Sequence, residues 1–264
     1  MRNLKPLYIP KPWPMRIVLF SSSGPGNTNA LFEVQDTYPG LIKVVLCVAD
    51  RPGIPTLSIA ESRGVPCIVY DFEKEYRNPA NKCTDKTTKA QLRMLIHNHI
   101  LKDILRFEES SAKIDLAVLA YRRLIEGELL DYFQDRMINQ HPADLTIFDC
   151  STKNRKYIGI HGHSRTIKDG FGGSRTSCIV VNSGVDSGEI LGQGAFLPFT
   201  AEVTDANIKD HENCQKVHSD WPLLQFVVKA IAEGRYSLSS ERFPDGNRKV
   251  YYDGKEQPYC GVRL

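Results

Sequence analysis

No stretch of this sequence approaches the ~18 consecutive apolar residues that a membrane-spanning helix requires. Near the amino terminus, Pro6, Pro10, Pro12 and Pro14 interrupt the continuous apolar core that a signal peptide needs. An excess of one charge is also absent, since 34 basic and 31 acidic residues are interspersed and give a net charge of +3. We therefore expect a cytoplasmic protein with neither a membrane partner nor a nucleic-acid partner.

Cysteine is too sparse and too irregularly spaced for a disulfide framework or a C-x-x-C site. The seven cysteines are odd in number and are expected to be reduced thiols. The 264 residues, 41% of them apolar, suffice for one large α/β domain or two small ones. We expect residues 1–14 to form an extended arm, packed on the surface or on a partner subunit, and residues 15–264 to form a single domain.

Strand and helix patterns alternate along most of the chain. The predicted strands are 16–20, 42–48, 66–70, 115–120 and 137–140, and the predicted helices are 28–36, 55–63, 87–106, 125–133 and 221–233. The charged segment 71–86 is predicted to be a loop, and Asp253-Gly254 to be the turn of a hairpin at 250–255. This order predicts an α/β fold with an open, mainly parallel, doubly wound (Rossmann-like) sheet, a C-terminal helix and a β-hairpin.

Three polar residues form the candidate catalytic group. Asn139 and His141 stand two residues apart on a predicted strand and so face the same side, and Pro142 ends that strand. Asp186 follows later, in a polar turn. An amide that holds an oxyanion, an imidazole that handles a proton and a carboxylate that aligns the imidazole suit acyl transfer between nitrogens. Taken alone, the pattern also fits a histidine that is hydrogen bonded at a strand end.

A glycine-containing loop follows the first predicted strand of the sheet and opens the first helix. Its residues from Gly24 to Asn29 offer backbone amides and a helix amino terminus, which suit a phosphate. No lysine follows the glycines as in a Walker loop, and the dinucleotide spacing G-x-G-x-x-G is absent. From the residues alone, a tight turn without a ligand remains an equal alternative.

Several motifs resemble one known family when they are taken in order. After N-x-H-P come Tyr157-Ile-Gly-Ile-His-Gly-His163, then Thr176-Ser-Cys-Ile-Val-Val181, then Gly184-Val-Asp-Ser-Gly-Glu-Ile-Leu191. Over roughly residues 15 to 255, the chain resembles the glycinamide ribonucleotide transformylase branch of the folate-dependent formyltransferases. The resemblance implies transfer of a formyl group from 10-formyltetrahydrofolate, as cosubstrate and without a metal, to the amine of glycinamide ribonucleotide in purine biosynthesis.

The resemblance also implies roles for individual residues. Residues 15–115 would be the phosphate-binding half, and residues 116–264 the folate-binding and catalytic half. Asn139, His141 and Asp186 would carry the chemistry with support from His161; Gly24, Gly26, Asn27, Thr28 and Asn29 would hold the substrate phosphate; and Arg123, Leu124, Ile125 and Val185 would line the pterin pocket. The implied partners are small molecules, the folate and a phosphorylated amine, and a homodimer is left open.

Two departures from the family bear on the acceptor. Residues 148–156 are inserted beside N-x-H-P, and Val217 stands where the family carries a glutamate that contacts the ribose. An amino sugar nucleotide is therefore an alternative acceptor, water would make the protein a formyltetrahydrofolate deformylase, and a folate- or nucleotide-binding protein without turnover is the non-enzyme alternative. A zinc site of His141, His161 and His163 is the rival interpretation of the histidines.

Overall fold

The computed structural model describes residues 3–22 and 24–264, which contain fourteen strands and eight α-helices. The strands are β1 Leu4–Pro6, β2 Met15–Ser21, β3 Ile42–Ala49, β4 Cys67–Val69, β5 Leu116–Ala120, β6 Met137–His141, β7 Gly173–Ser174, β8 Ser177–Val180, β9 Ile190–Gln193, β10 Leu197–Pro198, β11 Tyr236–Arg242, β12 Arg248–Tyr252, β13 Lys255–Glu256 and β14 Val262–Arg263. The helices are α1 Gly26–Thr37, α2 Pro55–Ser62, α3 Phe72–Arg77, α4 Lys86–Glu109, α5 Glu128–Tyr132, α6 Gly162–Lys168, α7 Asp205–Gln215 and α8 Trp221–Ala232.

The main sheet has eight strands in the order β14-β9-β8-β6-β5-β2-β3-β4. Strand β8 runs antiparallel to both of its neighbours, and the other pairs are parallel. One apolar cluster joins the sheet to α1 and α8, and a second joins its other face to α4 and α5. The strands β2 and β3 are buried almost throughout, as central parallel strands covered on both faces should be. The predicted open, mainly parallel α/β fold is confirmed.

The strand order reverses direction between β2 and β5. From β2 the chain continues to β3 and β4 on one side, and then returns to β5 and β6 on the other. Doubly wound sheets bind ligands in the crevice at such a point. Here the segments that leave the two strands are tied together, because Ser22 N donates to Ala120 O at 3.0 Å and Arg122 N donates to Ser22 Oγ at 2.8 Å.

The prediction of a loop over residues 71–86 is wrong. Helix α3 lies within this segment, with the Asp71 carboxylate capping it by accepting a hydrogen bond from Lys74 N at 3.0 Å. A short 3-10 turn at Pro79–Asn81 follows, and α4 begins at Lys86. Phe72, the apolar anchor of α3, is fully buried. The segment shows little helical periodicity because this short helix has two core-facing side chains, Phe72 and the half-buried Tyr76, among charged residues.

A second, antiparallel sheet has the order β1-β11-β12-β13. The predicted hairpin is confirmed, since Asp253 and Gly254 both have left-handed φ values, 49° and 71°, between β12 and β13. In the amino-terminal arm, β1 pairs with β11, and Lys11 Nζ lies 2.5 Å from the Asp115 carboxylate. From residue 3 onward, the arm therefore packs on its own chain. Across the two described segments, no helix is long and apolar enough to cross a bilayer.

Candidate active site

Strand β6 carries Asn139 and His141 to the carboxyl edge of the main sheet. The side chain of His141 is buried, with the residue only 4% exposed. Asn139 pairs in register with Leu119 of β5 and Ile179 of β8 and is half-buried. Its side-chain amide makes no hydrogen bond with any residue in the described part of the chain, so its N–H donors remain available for a ligand.

The turn between β8 and β9 brings Asp186 to His141. Oδ2 of Asp186 lies 3.2 Å from Nδ1 of His141. Asp186 has a left-handed backbone with φ 47°, which Asp and Asn tolerate better than most residues. Within the turn, Asn182 Oδ1 accepts hydrogen bonds from Gly184 N at 3.0 Å and Ser187 Oγ at 2.6 Å. Two residues far apart in sequence are thus placed within interaction distance.

The segment from Tyr157 to Gly162 encloses the other side of this pair. The carbonyl oxygen of Tyr157 lies 2.5 Å from Nε2 of His141, and the peptide N–H of Gly159 donates to Asp186 Oδ2 at 2.7 Å. Gly162 lies against the ring, because a Cβ at this position would approach His141 Nε2 to 2.5 Å. Only glycine fits at this position without moving the imidazole.

The electrostatics of His141 combine two opposing effects. Burial lowers the pKa of the imidazole, while the Asp186 carboxylate and the Tyr157 carbonyl act to raise it; the net direction is downward. Both ring nitrogens face oxygen acceptors, and only the doubly protonated ring can donate to both. The two acceptors thus favour the protonated imidazole, whereas burial favours loss of that proton. With its pKa below the usual value, the imidazole is mainly neutral near pH 7 and can take up a proton and give it back, which suits general acid–base exchange.

The structure does not bring His161 to the carboxylate. His161 caps the amino terminus of α6, its residue is exposed, and its ring makes no hydrogen bond with any described residue. Asp186 is held instead by Gly159 and by Arg155, whose Nη1 donates to the Asp186 carbonyl at 2.7 Å. Sequence reasoning missed both contacts. The sequence offered one indication of the Arg155 contact, namely that Arg155 is a basic residue within the insertion. Lys153 and Lys156 are also basic residues of the insertion, so this property did not single out Arg155.

The three imidazoles of the zinc interpretation do not converge. His163 is buried and its Nε2 lies 2.9 Å from Nδ1 of His211, with the two rings stacked. Burial, reinforced by His211, lowers the pKa of His163 to about 4. Among residues 3–22 and 24–264, no group of three or more His, Cys, Asp or Glu side chains is placed to hold a metal ion.

The loop before α1 has free backbone donors at the crevice. The first intrahelical bond runs from Asn29 N to Pro25 O at 2.8 Å, so the N–H groups of Gly26, Asn27 and Thr28 precede it. The hydroxyl of Thr28 is buried and lies 2.9 Å from Thr56 Oγ1, so Thr28 offers a ligand its backbone rather than its side chain. The loop position 23 lies outside the described residues.

Comparison with known proteins gives the family of the chain. The Formyl transferase family profile matches residues 15–216. The chain belongs to the formyl transferase family. It is 28% identical over 231 residues to a chloroplastic phosphoribosylglycinamide formyltransferase of Arabidopsis thaliana, which covers 87% of this chain and 69% of that protein.

Solved structures of low sequence identity share the formyltransferase fold. A phosphoribosylglycinamide formyltransferase of Coxiella burnetii, in complex with CHES, aligns with a TM-score of 0.67 at 21% identity and covers 96% of this chain and 100% of its own. A glycinamide ribonucleotide transformylase of Symbiobacterium toebii aligns at 0.65 and 20% identity, over 90% and 94% of the two chains. At these identities the agreement concerns the fold.

The residues that the formyltransferase resemblance assigns to the pterin pocket are engaged differently from one another. The guanidinium of Arg123 donates to Asp50 Oδ2 at 2.7 Å and to Glu73 Oε1 at 2.9 Å, so its side chain belongs to a partly buried ion-pair cluster. Ile125 is in the apolar core, Leu124 is half-buried, and Val185 is 44% exposed beside the Asp186 turn. Of this group, Leu124 and Val185 have side-chain surface for a ligand.

The glycine-containing loop before α1 lies close to a π turn. A Cβ at Gly26 would lie 2.5 Å from the Trp221 ring, so this loop lies against the start of α8. The residues just before Trp221, Lys216–Asp220, form the π turn. Because a π turn contains one more residue than an α-helical turn, counting back to the family glutamate gives Lys216 or Val217. Neither has a carboxylate, and Val217 is 47% exposed.

Proposed function

We propose that this chain transfers the formyl group of 10-formyltetrahydrofolate to the amino group of glycinamide ribonucleotide in de novo purine biosynthesis. The observation that carries the proposal is the pairing of His141 with Asp186 at the carboxyl edge of β6, next to the unengaged amide of Asn139. Family membership supplies the reaction class, and the geometry supports His141 as the proton-handling group, Asp186 as its carboxylate partner and Asn139 as a hydrogen-bond donor for an oxyanion.

The spacing across the sheet supports two binding regions in one crevice. The loop after β2 and the end of β6 are separated by β5, which is about 10 Å at ordinary strand spacing. A phosphate held by the N–H groups of Gly26, Asn27 and Thr28 would therefore leave room for a ribose and a glycine amide to reach His141. We assign the phosphate to residues 24–29 and the reacting amine to the Asn139–His141 face.

The transfer needs one new bond, one broken bond and one proton relay. The amine nitrogen attacks the formyl carbon, and the oxyanion that forms accepts hydrogen bonds from Asn139 and His141. The amine then loses a proton, the bond between the formyl carbon and folate N10 breaks, and N10 gains a proton. His141 handles protons at Nε2, because Asp186 occupies Nδ1.

We further propose that residues 15–264 act as one domain, with residues 15–115 holding the phosphate and residues 116–264 holding the folate and the catalytic groups. The seven cysteine thiols are free, which fits a reducing, cytoplasmic compartment. They are Cys47, Cys67, Cys83, Cys150, Cys178, Cys214 and Cys260. A homodimer stays a prediction.

The test is a formyl-transfer assay with three acceptor conditions. The protein is mixed with 10-formyltetrahydrofolate and glycinamide ribonucleotide, an amino sugar nucleotide, or no added acceptor, and the release of tetrahydrofolate is followed. We expect rapid release only with glycinamide ribonucleotide. Release with the amino sugar nucleotide alone would transfer the assignment to that acceptor, release without any acceptor would indicate a deformylase, and folate binding without release would indicate a binding protein.

A further inference from the structure

The inserted segment 148–156 forms a hairpin-like loop whose two ends are paired. Phe148 and Arg155 pair as an isolated antiparallel bridge, and Asp149 N donates to Asn154 O at 2.8 Å. Asp149 closes the tip, since its carboxylate accepts hydrogen bonds from Ser151 N at 2.9 Å and Thr152 N at 2.8 Å. The insertion is therefore an ordered turn stabilised by its own hydrogen bonds. Its second half, which leads back from the tip, places Arg155 at a defined position.

Arg155 is buried, although it is a long cationic side chain. The residue is 8% exposed, and its guanidinium has two acceptors. Nη1 donates to the carbonyl of Asp186 at 2.7 Å, and Nε and Nη2 donate to the hydroxyl of Tyr259 at 3.0 and 2.7 Å. Burial of a guanidinium without such partners would be costly, so these bonds fix the side chain in one orientation.

A hydrogen bond to the Asp186 carbonyl fixes the backbone of the turn that orients the Asp186 carboxylate. Asp186 has φ 47°, and in this left-handed conformation its carboxylate faces His141. Apart from the His141 contact itself, the described bonds to Asp186 from outside the turn come from the Gly159 N–H on the carboxylate and from Arg155 on the carbonyl. Arg155 alone among these secures the backbone.

We propose that Arg155 is a positioning residue for the His141–Asp186 pair and that it acts through the main-chain carbonyl of Asp186. The expected effect of Arg155 variants on turnover rests on the proposed function. The insertion thus supports the proton-handling pair in place of His161. A carboxyl-terminal residue completes the support, because the Tyr259 hydroxyl that accepts from Arg155 donates to the Asp245 carboxylate. Phe148 and Phe243 pack against the Tyr259 ring at 5.5 and 5.1 Å between centroids.

The first experiment compares Arg155→Met with Arg155→Lys in the full-length protein. Methionine keeps an apolar stem and removes every donor, whereas lysine keeps the charge and one donor group. We expect kcat to fall about 10- to 100-fold in Arg155→Met, with KM for each substrate within about 2-fold of the wild-type value, and part of kcat to return in Arg155→Lys. Arg106→Met is the control, since the exposed Arg106 donates to Asp103 within α4 at 2.9 Å, and none of the described contacts of Arg155 involves that helix.

The second experiment uses Tyr259→Phe, which removes the hydroxyl that orients the guanidinium. We expect a smaller loss of kcat than in Arg155→Met. The double variant should be no worse than Arg155→Met alone, because both residues act on Asp186 by the same route. Additive losses would contradict the proposal.

The third experiment measures the His141 pKa by NMR titration of histidine-labelled protein, with the resonance assigned by comparison with His141→Gln. Arg155 as a nearby cation lowers this pKa, and the Asp186 carboxylate raises it by a larger effect. Loss of only a cation in Arg155→Met would raise the pKa, whereas loss of Asp186 alignment would lower it. We expect it to fall. An unchanged or higher pKa would overturn the proposal, whatever the value of kcat.

The NMR result does not depend on the reaction. If no acceptor released tetrahydrofolate, the proposed function would fail, and the direction of the His141 pKa change would still decide whether Arg155 positions Asp186.

Discussion

The carbonyl oxygen of Tyr157 lies 2.5 Å from Nε2 of His141, while the other ring nitrogen faces the Asp186 carboxylate. Nε2 is therefore the one nitrogen left for a substrate, and in this structure the Tyr157 carbonyl and Gly162 cover it. If His141 exchanges a proton with substrate through Nε2, the Tyr157 carbonyl must first move aside. The predictions below test the pair, its enclosure and the acceptor side separately.

Asp186→Asn should remove the carboxylate charge and leave the turn intact. Asparagine tolerates the left-handed φ of this position, and its side-chain oxygen can still accept from Gly159 N–H. We expect kcat to fall by about 10²- to 10⁴-fold in steady-state assays, because His141 loses the partner that aligns it and stabilises its proton. The control is Asp205→Asn on the surface of α7. A wild-type rate for Asp186→Asn would show that the carboxylate plays no part in turnover.

Gly162→Ala should disturb the imidazole through a single methyl group. The added Cβ would approach both His141 Nε2 and the Tyr157 carbonyl to 2.5 Å, so the ring must shift. We expect kcat to fall about 100-fold, while circular dichroism shows a folded protein. Ser164→Ala, two residues further along α6, should keep wild-type kcat. Equal activity of Gly162→Ala and wild type would mean that the observed ring position is irrelevant to catalysis.

Asp220→Asn should stabilise the protein above pH 6. Burial raises the pKa of Asp220 to about 6, so the folded state keeps this carboxyl protonated at low pH and loses that contribution as the pH rises through about 6. Ionised burial then costs on the order of 2 to 3 kcal/mol. Asparagine stays neutral and can still accept from Thr176 Oγ1.

The measurement for Asp220→Asn is urea unfolding at two pH values. We expect a higher free energy of unfolding than wild type at pH 8 and a much smaller difference at pH 4.5. The exposed Asp210→Asn variant should show neither effect. A destabilised Asp220→Asn protein at pH 8 would indicate that the carboxylate is needed by a partner outside the described contacts.

Val217→Glu should strengthen binding of glycinamide ribonucleotide if its ribose lies against the π turn. A carboxylate that accepts a ribose hydroxyl contributes about 1.5 to 3 kcal/mol, so KM for this acceptor should fall by about 10-fold or more. KM for the folate should not change. Val69→Glu, on the edge strand β4 at the far side of the sheet, is the control. An unchanged acceptor KM in Val217→Glu would place the ribose elsewhere.

Elements with a regular apolar pattern were predictable from sequence. The strands β2 and β3 are runs of buried aliphatic residues, and α8 buries an apolar face against the sheet. Helix α3 was not, because it is short and packs through two residues, Phe72 and the half-buried Tyr76, while its other residues are charged. The π turn at Lys216–Asp220 was also missed, since one extra residue in a helical turn leaves no compositional signal.

Within the site, contacts made by reactive side chains were predictable from sequence, whereas contacts made by backbone groups were not. Asn139, His141 and Asp186 stood out because their side chains suit acyl transfer, and the structure places His141 beside Asp186. His161 was expected to support them through its side chain, but backbone groups of Tyr157 and Gly159 surround the pair. Backbone contacts carry no residue-type signature. Only coordinates reveal them.

The pairing of β1 with β11 has a consequence for how the chain is made. Leu4, Lys5 and Pro6 face Ser239, Leu238 and Ser237 in an antiparallel ladder. During synthesis on a ribosome, these early residues must wait, unpaired, until the partner strand has been translated and has left the exit tunnel. The arm is therefore among the last parts to dock, and a bulky fusion placed next to it would interfere with completion of the small sheet more than with nucleation of the large one.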